Sequence, residues 1–311
     1  MPPMTRSRRR RGERPGGAGT WERFSHSGVG GSRSYFVYAP PGLAGAAPAP
    51  LIVMLHGCTQ TAADLARSTK MSDLADRHGF AVAYPQQSRQ HNGQGCWNWF
   101  LPAHQRRAAG EPAVIAGITQ AVTASTSGID VDPKRVYLAG MSAGGAMAAI
   151  LGATYPDLFA GLAVHSGLPY AAATSQESAF RAMAHGAPDG SGRGVVLDAI
   201  VERLPTIVIH GTSDAIVSRV NGERMVEQWL GANGLDGEPQ HPAEIVRERV
   251  IGGHAYTRSR WSDGSGRPLV EYLEVEGLGH AWSGGAAGAA WTDARGPDAS
   301  AAIWRFFDEL R

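Results

Sequence analysis

Short runs that are apolar at every position recur along the chain. Leu51 to Leu55, leading into His56-Gly57, has no polar alternation, and neither does Phe80 to Tyr84 before Pro85. Arg135 to Ala139, Leu162 to His165, Thr206 to His210 and Leu269 to Val275 are similar. A strand without a polar face is covered on both sides, which is the signature of a parallel sheet under helices. Arg33 to Ala39 alternates instead and predicts an edge strand ending at Pro40-Pro41. Between these runs the period changes to that of a helix. Thr61 to His78 turns Leu65, Met71, Leu74 and Ala75 inward and ends on Gly79, a suitable cap. From Pro112, which suits a first helical turn, Val114, Ile115, Ile118 and Val122 share a face. Gly144 to Thr154, Arg219 to Leu230 and Ala301 to Leu310 are further helices. Gln86 to Glu111 is a long loop, and Ser166 to Pro205 is irregular.

Strands alternating with helices predict an α/β fold, a mostly parallel central sheet with helices on both faces. No internal repeat and no Ser/Thr/Pro linker divides the chain. Residues 33–311 are therefore expected to form a single domain, preceded by a disordered basic, glycine-rich tail and entry segment at 1–32.

Composition narrows this picture only slightly. With 43% hydrophobic and 18% charged residues in 311, a full core is available. The formal net charge of +1 provides no global attraction to nucleic acid. Arg8 to Arg11 and Arg14 make the start basic, and a solvated tail is the expectation. No apolar run follows those arginines, so no signal peptide is read in the chain as written, which predicts a cytoplasmic protein. Met4 is an alternative start, and a misassigned start together with a Cys58–Cys96 disulfide would instead predict a secreted protein. No window approaches the ~20 apolar residues of a membrane helix. The two cysteines, Cys58 and Cys96, are either a disulfide, the pairing a secreted protein would carry, or two free thiols. Their spacing is not that of zinc ligands, and no metal or cofactor is expected.

The chemistry concentrates at Gly140-Met141-Ser142-Ala143-Gly144, where a strand runs into a helix. A serine on that turn needs a strained backbone, and its neighbours two residues away approach too closely for a side chain. The turn also sets the hydroxyl at a helix N-terminus, where backbone N–H groups can receive an oxyanion. A serine needs a histidine base and a carboxylate, in the chain order serine, acid, histidine. Asp214 lies just past the strand that ends at His210, and His280 lies on the loop after Val275, both at the carboxyl edge of the sheet. His210 is expected in the core. His254, Asp198 and Glu202 lack comparable placement. The backbone N–H groups of Cys58, after the first buried strand, and of Ala143 are the candidate oxyanion donors.

The segments LHGCTQTAADLA (55–66), CWNWF (96–100), GMSAGGAM (140–147), HGTSDAIV (210–217) and GLGHAWSGG (277–285) together resemble the polyhydroxybutyrate depolymerase-type esterases. That family overlaps with feruloyl and acetylxylan esterases, and the likeness spans roughly 33–310. The resemblance implies the α/β-hydrolase fold, Ser142 as nucleophile, Asp214 as acid and His280 as base. It implies a serine ester hydrolase acting on hydroxyalkanoate oligomers or other small esters. Feruloyl or carbohydrate esters are the alternative, and a non-catalytic binding protein is the rival of another class. The extracellular depolymerases of this kind carry a secretion signal, a linker and a polymer-binding domain, none of which is read here. Trp97, Trp99 and Trp282 are candidates for an apolar substrate wall, or are core. Nothing in the sequence sets the oligomeric state.

Overall fold

The computed structural model describes residues 16–43, 45–124, 128–191, 203–235 and 242–311. The basic tail, Asp198 and Glu202 lie outside the described residues. The sheet opens with β1 (Thr20–Gly28), β2 (Gly31–Ala39) and β3 (Ala49–Leu55). Helices α1 (Ala62–Thr69) and α2 (Met71–His78) lead to β4 (Ala81–Pro85), and α3 (Gly110–Thr123) leads to β5 (Val131–Met141). Then come α4 (Ala143–Thr154), β6 (Gly161–His165), α5 (Gln176–His185), β7 (Thr206–Gly211) and α6 (Val220–Ala232). The chain closes through β8 (Glu244–Arg249), β9 (Ala255–Ser262), β10 (Pro268–Val275), the short β11 (Trp282–Ser283) and β12 (Thr292–Asp293), and α7 (Ala299–Asp308).

Ten strands form one sheet in the order β1-β2-β4-β3-β5-β6-β7-β10-β9-β8. The strands from β4 to β10 in that order run parallel. Antiparallel strands are added at both ends. The expected α/β architecture holds. Every residue of β3, β4, β6 and β7 is buried. Leu65, Leu74, Phe306 and Phe307 cover one face, while Val114, Ile118, Met147, Met225 and Trp229 cover the other.

Four local expectations are corrected. The strand containing Arg33 to Ala39 is not at the edge, because β1 pairs outside it from Thr20↔Ala39 to Gly28↔Gly31. The sheet thus begins inside the segment expected to be disordered, whose residues 20–28 form a paired strand. Only Phe24 is buried in β1, so its apolar signal is weak. The helix expected over 61–78 breaks at Lys70, whose φ of 54° is left-handed. Thr61 caps the first half through a reciprocal box with Asp64. The segment read as irregular holds α5, which buries only Ala179 and Ala182. Strand β8 carries Glu244, Arg247, Glu248 and Arg249, β9 carries Arg258 and Arg260, and neither has an apolar run to reveal it. Among the described residues no helix is long and apolar enough to cross a membrane.

Candidate active site

Strand β5 ends at Met141, and α4 begins at Ala143. Ser142 between them has φ 57° and ψ −122°. A non-glycine residue adopts that region only when its surroundings hold it there. Its N–H donates to the His165 carbonyl at 2.9 Å, and its carbonyl accepts from Ala146 at 2.9 Å. The flanking glycines are required by contact. A Cβ at Gly140 would lie 2.2 Å from the Gly144 oxygen, and one at Gly144 would lie 2.1 Å from the Leu55 oxygen. Neither clash can be relieved by a rotamer, since both partners are backbone.

The same close approach brings the acid and the histidine together. A Cβ at Gly211 would lie 2.2 Å from the Leu278 oxygen, so the loop after β10 lies directly across the end of β7. Thr212 and Ser213 donate to the carbonyls of Val275 and Leu278, each at 3.0 Å. Two loops far apart in sequence are thereby tied side by side. Across them, Asp214 Oδ2 meets His280 Nδ1 at 2.7 Å, and His280 Nε2 meets Ser142 Oγ at 2.9 Å. Asp214 Oδ1 accepts the N–H groups of Ile216 at 3.0 Å and Val217 at 2.8 Å, which fixes the carboxylate plane. Burial opposes ionisation of Asp214. The hydrogen bond and charge of His280, with the Val217 N–H, outweigh it and hold the carboxyl below its ordinary range. An ionised Asp214 accepts from Nδ1–H, which leaves Nε2 free to accept the serine proton. The Asp214 side chain has no exposed surface, whereas that of His280 keeps 7% and Ser142 as a residue 9%.

His56-Gly57-Cys58 abuts the serine. A Cβ at Gly57 would lie 3.3 Å from Ser142 Cβ. Gly57 donates to Gln60 Oε1 at 2.8 Å, and Thr59, at φ 64°, donates to the Gln94 carbonyl at 2.8 Å. His56 donates from Nδ1 to its neighbour's carbonyl at 2.9 Å and accepts from the Gln87 N–H at 3.0 Å. Burial pushes its pKa down to about 4, so it stays neutral. Cys58 and Cys96 are joined by a disulfide. The N–H groups of Cys58 and of Ala143, the first residue of α4, meet no acceptor among the described residues.

The Cys96 loop is fastened by a residue that sequence reasoning passed over. Glu111 is buried at the start of α3 and accepts from the Asn98 N–H at 2.7 Å and Asn98 Nδ2 at 2.9 Å. Arg33, also buried, donates to Glu111 at 3.1 Å. A glutamate before the proline of a first helical turn was the available signal, but a capping role at the surface explains that pattern equally well.

The tryptophan wall is corrected. Trp97 and Trp282 have no exposed surface and Trp99 is 5% exposed. Trp97 lies against His56 at 5.5 Å, and Trp282 stacks on His165 at 4.8 Å and donates to Ser300 Oγ at 3.2 Å. These rings are core beneath the site. The exposed ring next to His280 belongs to Trp291, which the sequence did not single out. His210 is in the core, donating from Nε2 to the Val217 carbonyl at 2.9 Å. His254 pairs with Asp293 at 2.9 Å. No group of three or more His, Cys, Asp or Glu among the described residues is arranged to hold a metal ion.

A mostly parallel sheet with serine, histidine and carboxylate on loops at its carboxyl edge defines the α/β-hydrolase fold. The solved acetyl xylan esterase of Aspergillus awamori shares this fold, with a TM-score of 0.68 over 94% of this chain and 100% of that one, at 20% identity. Residues 33–252 match the family model described as Esterase PHB depolymerase, and the chain belongs to that family. It is 38% identical over 256 residues to poly(3-hydroxyalkanoate) depolymerase C of Paucimonas lemoignei, covering 80% of this chain and 58% of that protein. It is 31% identical over 259 residues to feruloyl esterase B of Neurospora crassa, covering 79% of this chain and 82% of that one. The chain thus spans little more than half the length of the depolymerase it matches.

Proposed function

We propose that the protein is a serine carboxylic-ester hydrolase whose nucleophile is Ser142, acid Asp214 and base His280. The observation that carries this is the unbroken hydrogen-bond chain from Asp214 through His280 to a serine on a strained turn. His280 Nε2 takes the hydroxyl proton as Oγ bonds to the ester carbonyl carbon. The resulting oxyanion lies toward the N–H groups of Cys58 and Ala143, and removing one such donor typically costs about 10²–10³-fold in rate. The carbon–oxygen bond to the alcohol breaks, and the alkoxide leaves with the proton from Nε2. His280 then removes a proton from water, which attacks the acyl-serine, and the acid departs as the proton returns to Oγ.

The substrates we propose are short hydroxyalkanoate oligomers and related short acyl esters, supported by the 38% identity to a poly(3-hydroxyalkanoate) depolymerase. A feruloyl or acetylated carbohydrate ester is the second reading, supported by the relative of which the chain covers 82%. The deciding experiment compares kcat/KM for 3-hydroxybutyrate oligomers, feruloyl esters, acetylated xylan and nitrophenyl esters. The oligomers are expected to lead, and a higher value for feruloyl or xylan esters overturns that order. Labelling with a fluorophosphonate tests the serine itself. Mass spectrometry is expected to find one adduct, on Ser142, and an unlabelled Ser142 ends the hydrolase reading.

A further inference from the structure

Among the described residues, Trp291 is the one aromatic among the non-glycine positions of positive φ, at 59°. A left-handed backbone costs such a side chain roughly 1–2 kcal/mol, so the surrounding loop must impose it. The loop does so at several points. The Trp291 carbonyl accepts from the Trp282 N–H at 2.7 Å, next to the parallel pairing of β11 with β12. Thr292 donates to the carbonyl of Ala286 at 2.7 Å, and Ala286 is itself tied to Ser68 at 2.8 Å. Asp293 accepts from Arg295 at 2.8 Å and pairs with His254 at 2.9 Å. The loop thus holds a large apolar ring out beside the catalytic histidine. The ring is 39% exposed and stands edge-on to His280, with centroids 6.1 Å apart and planes at 79°. A strained backbone that leaves two-fifths of a tryptophan open to solvent points to contact with something outside the chain.

The position of the ring also indicates which part of an ester it meets. His280 Nε2 must hand its proton to the departing alkoxide, so the alcohol portion lies on the His280 side of the reacting carbon. The carbonyl oxygen lies on the side of Cys58 and Ala143. We infer that Trp291 is the alcohol-side specificity residue, a flat apolar wall against the leaving group. In an oligoester that leaving group is the next hydroxyacyl unit. This inference rests on the esterase reading above and extends it to the alcohol the site prefers.

The test separates the two halves of the substrate. One series keeps butanoate as the acid and varies the alcohol through methyl, butyl and benzyl, with the 3-hydroxybutyrate dimer added. A second keeps methanol as the alcohol and lengthens the acid from acetate to octanoate. The variant is Trp291→Gly, which removes the ring and suits the positive φ; Trp291→Phe keeps a ring. In Trp291→Gly the ratio of kcat/KM for benzyl over methyl butanoate is expected to fall about tenfold, the size of one lost aromatic contact. The ratio of octanoate to acetate should hold, and Trp291→Phe should retain most of the benzyl preference. A change confined to the acyl series, or an equal loss on every ester, overturns the inference while leaving the hydrolase intact. If the wild type hydrolyses no ester in either series, the esterase reading falls, and this one with it. Melting curves of both variants confirm that folded proteins are compared.

Discussion

The two ends of the sheet and its centre follow different rules. In the centre, β3, β5, β6 and β7 are parallel and covered by helices on both faces. At the far end, β8 leaves most of its residues exposed, Ile245 at 59%. β9 is half-buried along its length, and arginines from it surround the buried Glu271. The proposed chemistry belongs to the central rim, although the polar end is richer in charged side chains. Parallel strands deliver the loops at their carboxyl ends to one rim, and helices on both faces hold the strands in place. Such a frame can hold Ser142, Asp214 and His280 within hydrogen-bond reach. Ion pairs at an exposed edge contribute little and fix little.

Changes at the central rim should therefore far outweigh changes at the edge. Asp214→Asn is expected to lower kcat on nitrophenyl butyrate by about 10⁴-fold, because an amide misorients His280 and favours the wrong tautomer. A loss of less than about tenfold would mean that another group holds the imidazole. Next in size is the disulfide. Replacing both Cys58 and Cys96 by serine frees a loop with a sequence separation of 38 and should cost about 4 kcal/mol in the chain-entropy model. It should also depress kcat, since the N–H of Cys58 is a proposed oxyanion donor. Urea unfolding and steady-state rates measured together would show whether both fall.

Acid should act on the same centre. His56 and His165 are wholly buried, and burial lowers them to about 4 and about 3. Above their ordinary value near 6.5 both folded and unfolded rings are neutral, and nothing is lost. Below it the unfolded chain binds protons that the fold refuses. Stability should therefore drop from pH 6.5 toward 4, by on the order of 3 kcal/mol from His56 alone. Denaturant midpoints across that range would reveal a flat profile if these rings are accessible. The smallest effect is predicted at the edge. Arg247→Ala in β8 should change stability by less than about 0.5 kcal/mol and leave turnover untouched. A loss of several kcal/mol there would abolish the distinction between centre and edge.

How much could be read in advance follows the same division. Leu51 to Leu55 and Thr206 to His210 announced their burial by having no polar face. Gly140 and Gly144 announced a turn too crowded for side chains, and the structure supplies the atoms they avoid. The stretch Thr20 to Gly28 stayed hidden because one buried phenylalanine makes no period. Trp97 and Trp282 look like a substrate wall in sequence, since proximity to Cys96 and His280 says nothing about which way a ring points. Trp291 was passed over because nothing in Ala289-Ala290-Trp291 marks a left-handed residue beside a histidine that precedes it in the chain.

The sequence by itself determined the covered parallel strands, the glycine-flanked serine and the order in which acid and histidine follow it. These are local demands, written in period, residue size and spacing. Tertiary structure alone decided that Leu278 crosses Gly211 and so brings His280 to Asp214, that three tryptophans turn inward, and that a fourth is held out at the rim. Each depends on backbone from distant segments meeting at van der Waals distance, and no neighbour along the chain encodes that meeting.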